Sequence, residues 1–154
     1  MKRILSTIFC IGIMTVSFAQ NTQDEIEVIR DIAATERRAI VAENLMLTEE
    51  ESKVFWPVYD DYRAEARKVG TREIELITKF ADNYENMTDE VAIQLLTDVS
   101  KINSDQVKNK ASYRTKLLKV LPGKLVLRAI QIENKLDIII DFGLAQEIPL
   151  TIKK

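Results

Sequence analysis

The sequence predicts an all-α fold: four helices as elongated, kinked helical hairpins, completed by a second copy. Three observations point there. Gly and Pro are scarce, four and three in 154 residues, whereas Ala, Glu, Lys, Leu and Ile dominate. Apolar residues recur at spacings of three and four, the period of a helix face rather than of a strand. The helices implied are about 30 residues long, or about 45 Å at 1.5 Å per residue, too long for all of them to wrap one compact core. Thin helical layers of this kind bury their remaining apolar face in a partner.

The first helix is expected from about Asp24 to Asn44, with Ile26, Ile29, Ile32, Ala33 and Ile40 on one stripe. The second opens at a capping box, in which Thr48 bonds the amide of Glu51 and the Glu51 side chain reaches back to the amide of Thr48. It continues to about Glu85 with Phe55, Tyr59, Tyr62, Ala66, Val69, Leu76, Ile77 and Phe80 inward. Pro57 lies inside it and crowds the carbonyl of Lys53, so a kink or local break is expected. Thr88 caps the third helix, with Asp89 and Glu90 suiting the positive end of its dipole. That helix runs to about Val120 through Val91, Leu95, Val99, Ile102, Val107, Tyr113 and Leu117. Leu121-Pro122-Gly123 then breaks the chain, with Pro122 suited to the first position of a new helix. The fourth helix follows Leu125, Ala129, Ile132, Leu136, Ile139 and Ile140 to about Gln146, and Pro149 ends it.

Residues 1–19 have the layout of a secretory signal: Lys2 and Arg3, an apolar run from Ile4 to Phe18, and the small residues Ser17 and Ala19. Cleavage after Ala19 is expected, because the apolar run is shorter than the roughly 20 residues that span a bilayer. No stable membrane span then remains, and the destination is periplasmic. Residues 20–154 form a single helical domain with short flexible termini. Cys10, the only cysteine, leaves with the leader, so stability rests on packing. Losing Lys2 and Arg3 leaves 20 of 22 basic residues against 24 acidic ones, a net charge of −4. That balance argues against nucleic acid as a partner.

The chain has no histidine. Its absence removes the commonest general base, the Ser-His-Asp and Cys-His arrangements, and the Glu-x-x-His pairs of di-iron bundles. Without a cysteine after cleavage, zinc lacks its usual ligands. Asp60-Asp61 and Glu49-Glu50-Glu51 lack the spacing of a calcium loop, and no Gly-rich phosphate loop is present. No catalytic residue, metal or cofactor is therefore expected, and the chain reads as a non-enzyme that binds other proteins.

Two features suit binding. Phe55, Trp56, Tyr59 and Tyr62 share a broad face near Pro57. Core packing is the ordinary use of such a stripe, and Trp56, turned about 100° from Phe55, is the candidate exception. The second feature is charge segregation. No acidic residue lies between Gln106 and Ile132, while Lys108, Lys110, Arg114, Lys116, Lys119, Lys124 and Arg128 do. Residues 43–65 are conversely acidic, so the two segments either neutralise each other or leave a basic patch, interleaved with Tyr113, Leu117, Leu118, Leu121 and Leu125, that attracts acidic or amphipathic partners.

Leu47-Thr48-Glu49-Glu50-Glu51, opening a long helix after an upstream one, resembles the Leu-Thr-x-x-Gln motif of the Spy/CpxP family of periplasmic chaperones and envelope-stress regulators. Tyr113, Leu117-Leu118 and Val120-Leu121-Pro122 stand where that family carries its second copy. Glu51 replaces the glutamine of the first copy, which a capping box tolerates. The second copy keeps Leu121 and Pro122 but lacks the threonine and glutamine. The resemblance runs from about Ile26 to Gln146 and marks a divergent member. It implies an antiparallel dimer of kinked hairpins forming a shallow cradle, with partly folded clients held, independently of ATP, on a basic and partly apolar face. Its matching positions are Arg114, Lys116, Lys119, Lys124 and Arg128, with Leu118 and Trp56 as apolar neighbours. The alternative role within that family is a regulator docking on one membrane sensor or anti-sigma factor. Metal-sensing relatives use histidine-rich sites, which this chain lacks.

Overall fold

The computed structural model describes residues 35–152. The expected leader, 1–19, and residues 24–34 of the expected first helix lie outside the described residues. The chain divides into two units between Ala39 and Ile40. Residues 35–39 of the first unit are helical. The core, the hairpin and the faces below belong to the second unit, Ile40–Lys154.

Every described element is a helix, and the fold is all-α. Helix α1 covers 35–45, α2 Glu49–Asn83, α3 Asp89–Leu117 and α4 Gly123–Glu147, with a 3₁₀ turn at Tyr84–Asn86. The chain turns from α1 to α2 through Met46, whose φ of 53° is left-handed, a conformation normally left to Gly or Asn at this position. The expected capping box then forms. Thr48 Oγ1 accepts from the Glu51 amide at 3.2 Å and the Thr48 amide donates to Glu51 Oε2 at 2.9 Å. Three glutamates in the first turn complement the dipole of α2.

Helix α2 continues unbroken through Pro57, so the expected local break does not occur. Thr88 caps α3 by accepting from the Val91 amide at 3.3 Å. Pro122 serves as the N-cap of α4 rather than its first residue, its carbonyl accepting from the amides of Leu125 and Val126 at 3.0 and 3.1 Å.

The core is concentrated at one end. Phe55, Tyr59 and Tyr62 of α2 meet Tyr113 and Leu117 of α3, Leu121 of the turn, and Val126 and Ala129 of α4, with Val41 and Leu45 completing the cluster. The rings are in direct contact: Tyr62 stacks on Tyr113 at 4.2 Å and Phe55 on Tyr59 at 5.5 Å. Each such side chain stabilises the fold by about 1.5–3 kcal/mol through burial.

One carboxylate is enclosed in this cluster. Glu133 is 2% exposed. The Tyr59 hydroxyl donates to its Oε1 at 3.1 Å, and Arg63 reaches Oε2 at 3.5 Å. A buried charge survives only with such partners. Among the described residues, the neighbouring Tyr113 hydroxyl is buried without a hydrogen-bond partner. Desolvation first, and the Glu133 charge second, push its pKa up.

Beyond this end the packing thins. Val69, Leu95 and Ile102 are buried, but Ala66, Leu76, Ile77 and Phe80, all expected inward, are only half-buried. Polar links take over between α2 and α3: Arg72 with Asp105 at 2.7 Å, and Lys79 with Asp98 at 3.8 Å. Four further residues expected inward, Val99, Val107, Ile139 and Ile140, are exposed, as is Ile40. The reason is angular. Val107 follows buried Ile102 by five residues, about 140° around the helix. The buried positions of α4 are Val126, Ala129 and Glu133: Ala129 is on the expected line, whereas Val126 and Glu133 replace Leu125 and Ile132, which are half-buried, and positions 138–146 are all exposed.

Candidate functional site

Helices α3 and α4 run antiparallel, joined by a short turn. Lys110 of α3 bridges to α4, its Nζ lying 3.3 Å from Asn134 Oδ1 and 2.8 Å from Asp137 Oδ2. This register brings Leu118 level with Leu127 and Val107 level with Ile138. All four are more than half exposed, so the two helices present apolar side chains along an open face turned away from the core.

The end of that face nearest the turn carries the positive charge. Arg114 and Leu118 are four residues apart and share a stripe of α3; Lys124 and Leu127 are three apart and share one of α4. Lys119 and the exposed Val120 sit in the turn between them. Among the described residues, Arg114, Lys119 and Lys124 are in no ion pair. With no acidic residue between 106 and 132, every charged side chain of this segment itself is basic.

The other expected partner-binding residues are placed elsewhere. Lys116 is two residues from Arg114, about 200° around α3, and lies on the opposite flank of the Tyr113–Leu117 ridge, where it pairs with Asp61 at 3.2 Å. Mutual neutralisation with the acidic segment thus operates at this position. Arg128 donates from Nε to the Asn44 carbonyl at 2.7 Å, supporting the end of α1. Trp56 is half-buried against the core, edge-on to Phe55 at 4.9 Å and to Tyr59 at 5.4 Å. The motif residues are structural: Leu47 packs on the core, Thr48 and Glu51 cap α2, Leu121 is buried and Pro122 starts α4.

Leu127 and Val120 are absent from the sequence-derived set of binding residues. For Leu127 a signal exists, since Leu125-Val126-Leu127 places three consecutive apolar residues on one helix, and about 100° per residue forces one of them outward.

Among the described residues no three His, Cys, Asp or Glu side chains converge in a way that could hold a metal ion. No described helix is long and apolar enough to cross a membrane. Compared with known proteins, the chain matches no family model, no curated protein and no solved structure. What the arrangement offers is exposed apolar side chains, Leu118, Val120 and Leu127, on the same stretch of chain as the basic Arg114, Lys119 and Lys124.

Proposed function

We propose that this chain is an ATP-independent, chaperone-like protein of the periplasm that holds partly folded polypeptides on the turn end of its α3–α4 face. One observation carries the reading: Leu118, Val120 and Leu127 are exposed on the stretch from the end of α3 to the start of α4 that also carries Arg114, Lys119 and Lys124, none of which is in an ion pair among the described residues. The apolar side chains supply affinity for any non-native chain, and the basic ones speed encounter with acidic chains. The leader-like residues 1–19 support export, and the Leu-Thr-x-x-Gln resemblance supports the holding role.

The test is suppression of aggregation of several unrelated unfolding proteins by the purified chain. Suppression is expected at near-stoichiometric ratios, and replacing Leu118 and Leu127 together by serine should abolish most of it while leaving the helical circular dichroism unchanged. Reversing Lys119 and Lys124 to glutamate should weaken holding of acidic clients and remove its salt dependence. Failure to protect any client would overturn the reading.

A further inference from the structure

Beyond the aromatic cluster, α4 follows α2 without closing on it. Three links fix its course: Glu133 with Tyr59 and Arg63, then Asp137 and Asp141 beside Glu73, and last the Leu150 carbonyl, which accepts from the Tyr84 hydroxyl at 3.2 Å. Among the described residues, nevertheless, no Cα atom of α2 lies within 8 Å of one in α4. Helices in close contact have axes about 8–10 Å apart, which brings facing Cα atoms nearer than that.

At the core, the Tyr59 and Glu133 side chains bridge the seam. Farther along it is open. Gly70 stands eleven residues after Tyr59, three turns on and so on the same face of α2. Outside its own helix and chain neighbours, no heavy atom lies within 4 Å of where a Cβ would stand. On α4, Ile140 and Leu144 continue the line of Glu133, seven and eleven residues on, and Ile148 follows one turn later. These three are 49%, 37% and 37% exposed, whereas Ile138, Ile139 and Phe142 on the outer sides are 65–68% exposed. Ala66 and Ile77, on the α2 side, are half-buried.

Charge keeps the seam apart. Glu73 of α2 stands in the fields of Asp141 and Asp137, and the nearby cations are engaged: Arg72 with Asp105 at 2.7 Å, Lys79 with Asp98 at 3.8 Å and Lys110 with Asp137 at 2.8 Å. From α3, the Gln106 amide reaches Glu73 at 3.5 Å. Closing the seam would press like charges together and desolvate them.

We propose that residues 138–148 form a strap that closes onto Ala66, Gly70 and Ile77 of α2 when the Glu73, Asp137 and Asp141 cluster is neutralised, and stands off when it is charged. Closure buries Ile140, Leu144 and Ile148. Gly70 is the room the strap closes into, which accounts for a glycine in mid-helix, where alanine is intrinsically preferred. The sign follows from Glu73, whose carboxyl is held above its ordinary 4.5, first by desolvation and then by Asp141 and Asp137. Acid therefore favours the closed form, in which that carboxyl is desolvated further. The inference uses none of the residues assigned to the holding role.

The experiment uses the full chain, Cys10→Ser, as processed by the expressing cell. Spin labels are placed at Thr78→Cys and Gln146→Cys, both exposed positions, and their separation is followed by pulsed electron resonance from pH 7 to pH 4. It should shorten with a midpoint above 4.5, and the fluorescence of bound Nile red, a neutral apolar probe, should fall in step. Glu73→Gln with Asp141→Asn should give the short separation already at pH 7. Gly70→Leu should keep the long one throughout, with unchanged helical circular dichroism. The proposal is overturned by a separation that is constant or lengthens in acid, by a doubly neutral variant that responds like the parent, or by closure undiminished in Gly70→Leu.

Discussion

The two ends of the α2–α3 hairpin are built from the same kind of sequence and packed differently. At the end holding Phe55, Tyr59, Tyr113 and Leu117, a third layer from α4 and a fourth from residues 41–45 close over the hairpin. At the end holding Ile77, Phe80 and Leu95, α2 and α3 have mainly each other, and salt links such as Arg72–Asp105 replace apolar contacts. Helical periodicity is equally clear in both. What differs is the number of neighbouring layers, and that decides how much apolar surface each helix can bury. The closed end buries its apolar surface, and the faces adjoining it leave Leu118, Val120 and Leu127 exposed.

The largest test of this contrast is the enclosed carboxylate. Glu133→Ala leaves the Tyr59 hydroxyl and the Arg63 guanidinium without their partner and opens a cavity, so a loss of about 3–5 kcal/mol in denaturant unfolding is expected. A matched pair sharpens it. Leu117→Ala, at a fully buried position of the closed end, should cost near the top of the about 2–5 kcal/mol range for such truncations, and Leu95→Ala, at the thin end, near the bottom. Equal losses would erase the distinction. Thr48→Ala, which removes the capping box, should cost about 1 kcal/mol.

The smallest effect concerns pH. Glu73, at the thin end, is held above its ordinary 4.5, first by desolvation and then by the charges of Asp141 and Asp137. The folded chain therefore binds that proton more tightly than the unfolded one. The stability involved is fully present below 4.5 and is lost as pH rises through the folded value. Asp105 is held below its ordinary 3.8, chiefly by Arg72, and acts in the opposite sense, its contribution being lost as pH falls. Glu73→Gln should remove the decline in melting temperature just above pH 4.5 and leave the acid limb intact.

Much of the fold was legible because its signals are local. The Thr48 capping box, the Thr88 cap and the Leu121-Pro122-Gly123 break each depend on residues within a few positions of one another, and each forms at its expected place apart from the one-residue shift at Pro122. The site was legible only in part. The acid-free stretch from 106 to 132 marks the basic segment, but which of its charges face outward depends on partners far away in sequence. Lys116 is drawn to Asp61, 55 residues distant, and Arg128 to the Asn44 carbonyl, 84 distant. The burial of Glu133 carries no local signal either, since Tyr59 lies 74 residues before it. Val107 lies about 140° around α3 from buried Ile102, so counting apolar residues along the chain places it on a stripe that its angle leaves exposed.

Hydrogen exchange of backbone amides tests the contrast between the two ends most directly. Amides of 55–62, 113–117 and 126–133 should exchange slowest and as one cooperative group, with those of 74–83 and 89–100 opening far more readily. Uniform protection along α2 and α3, or slower exchange at the thin end, would contradict the account.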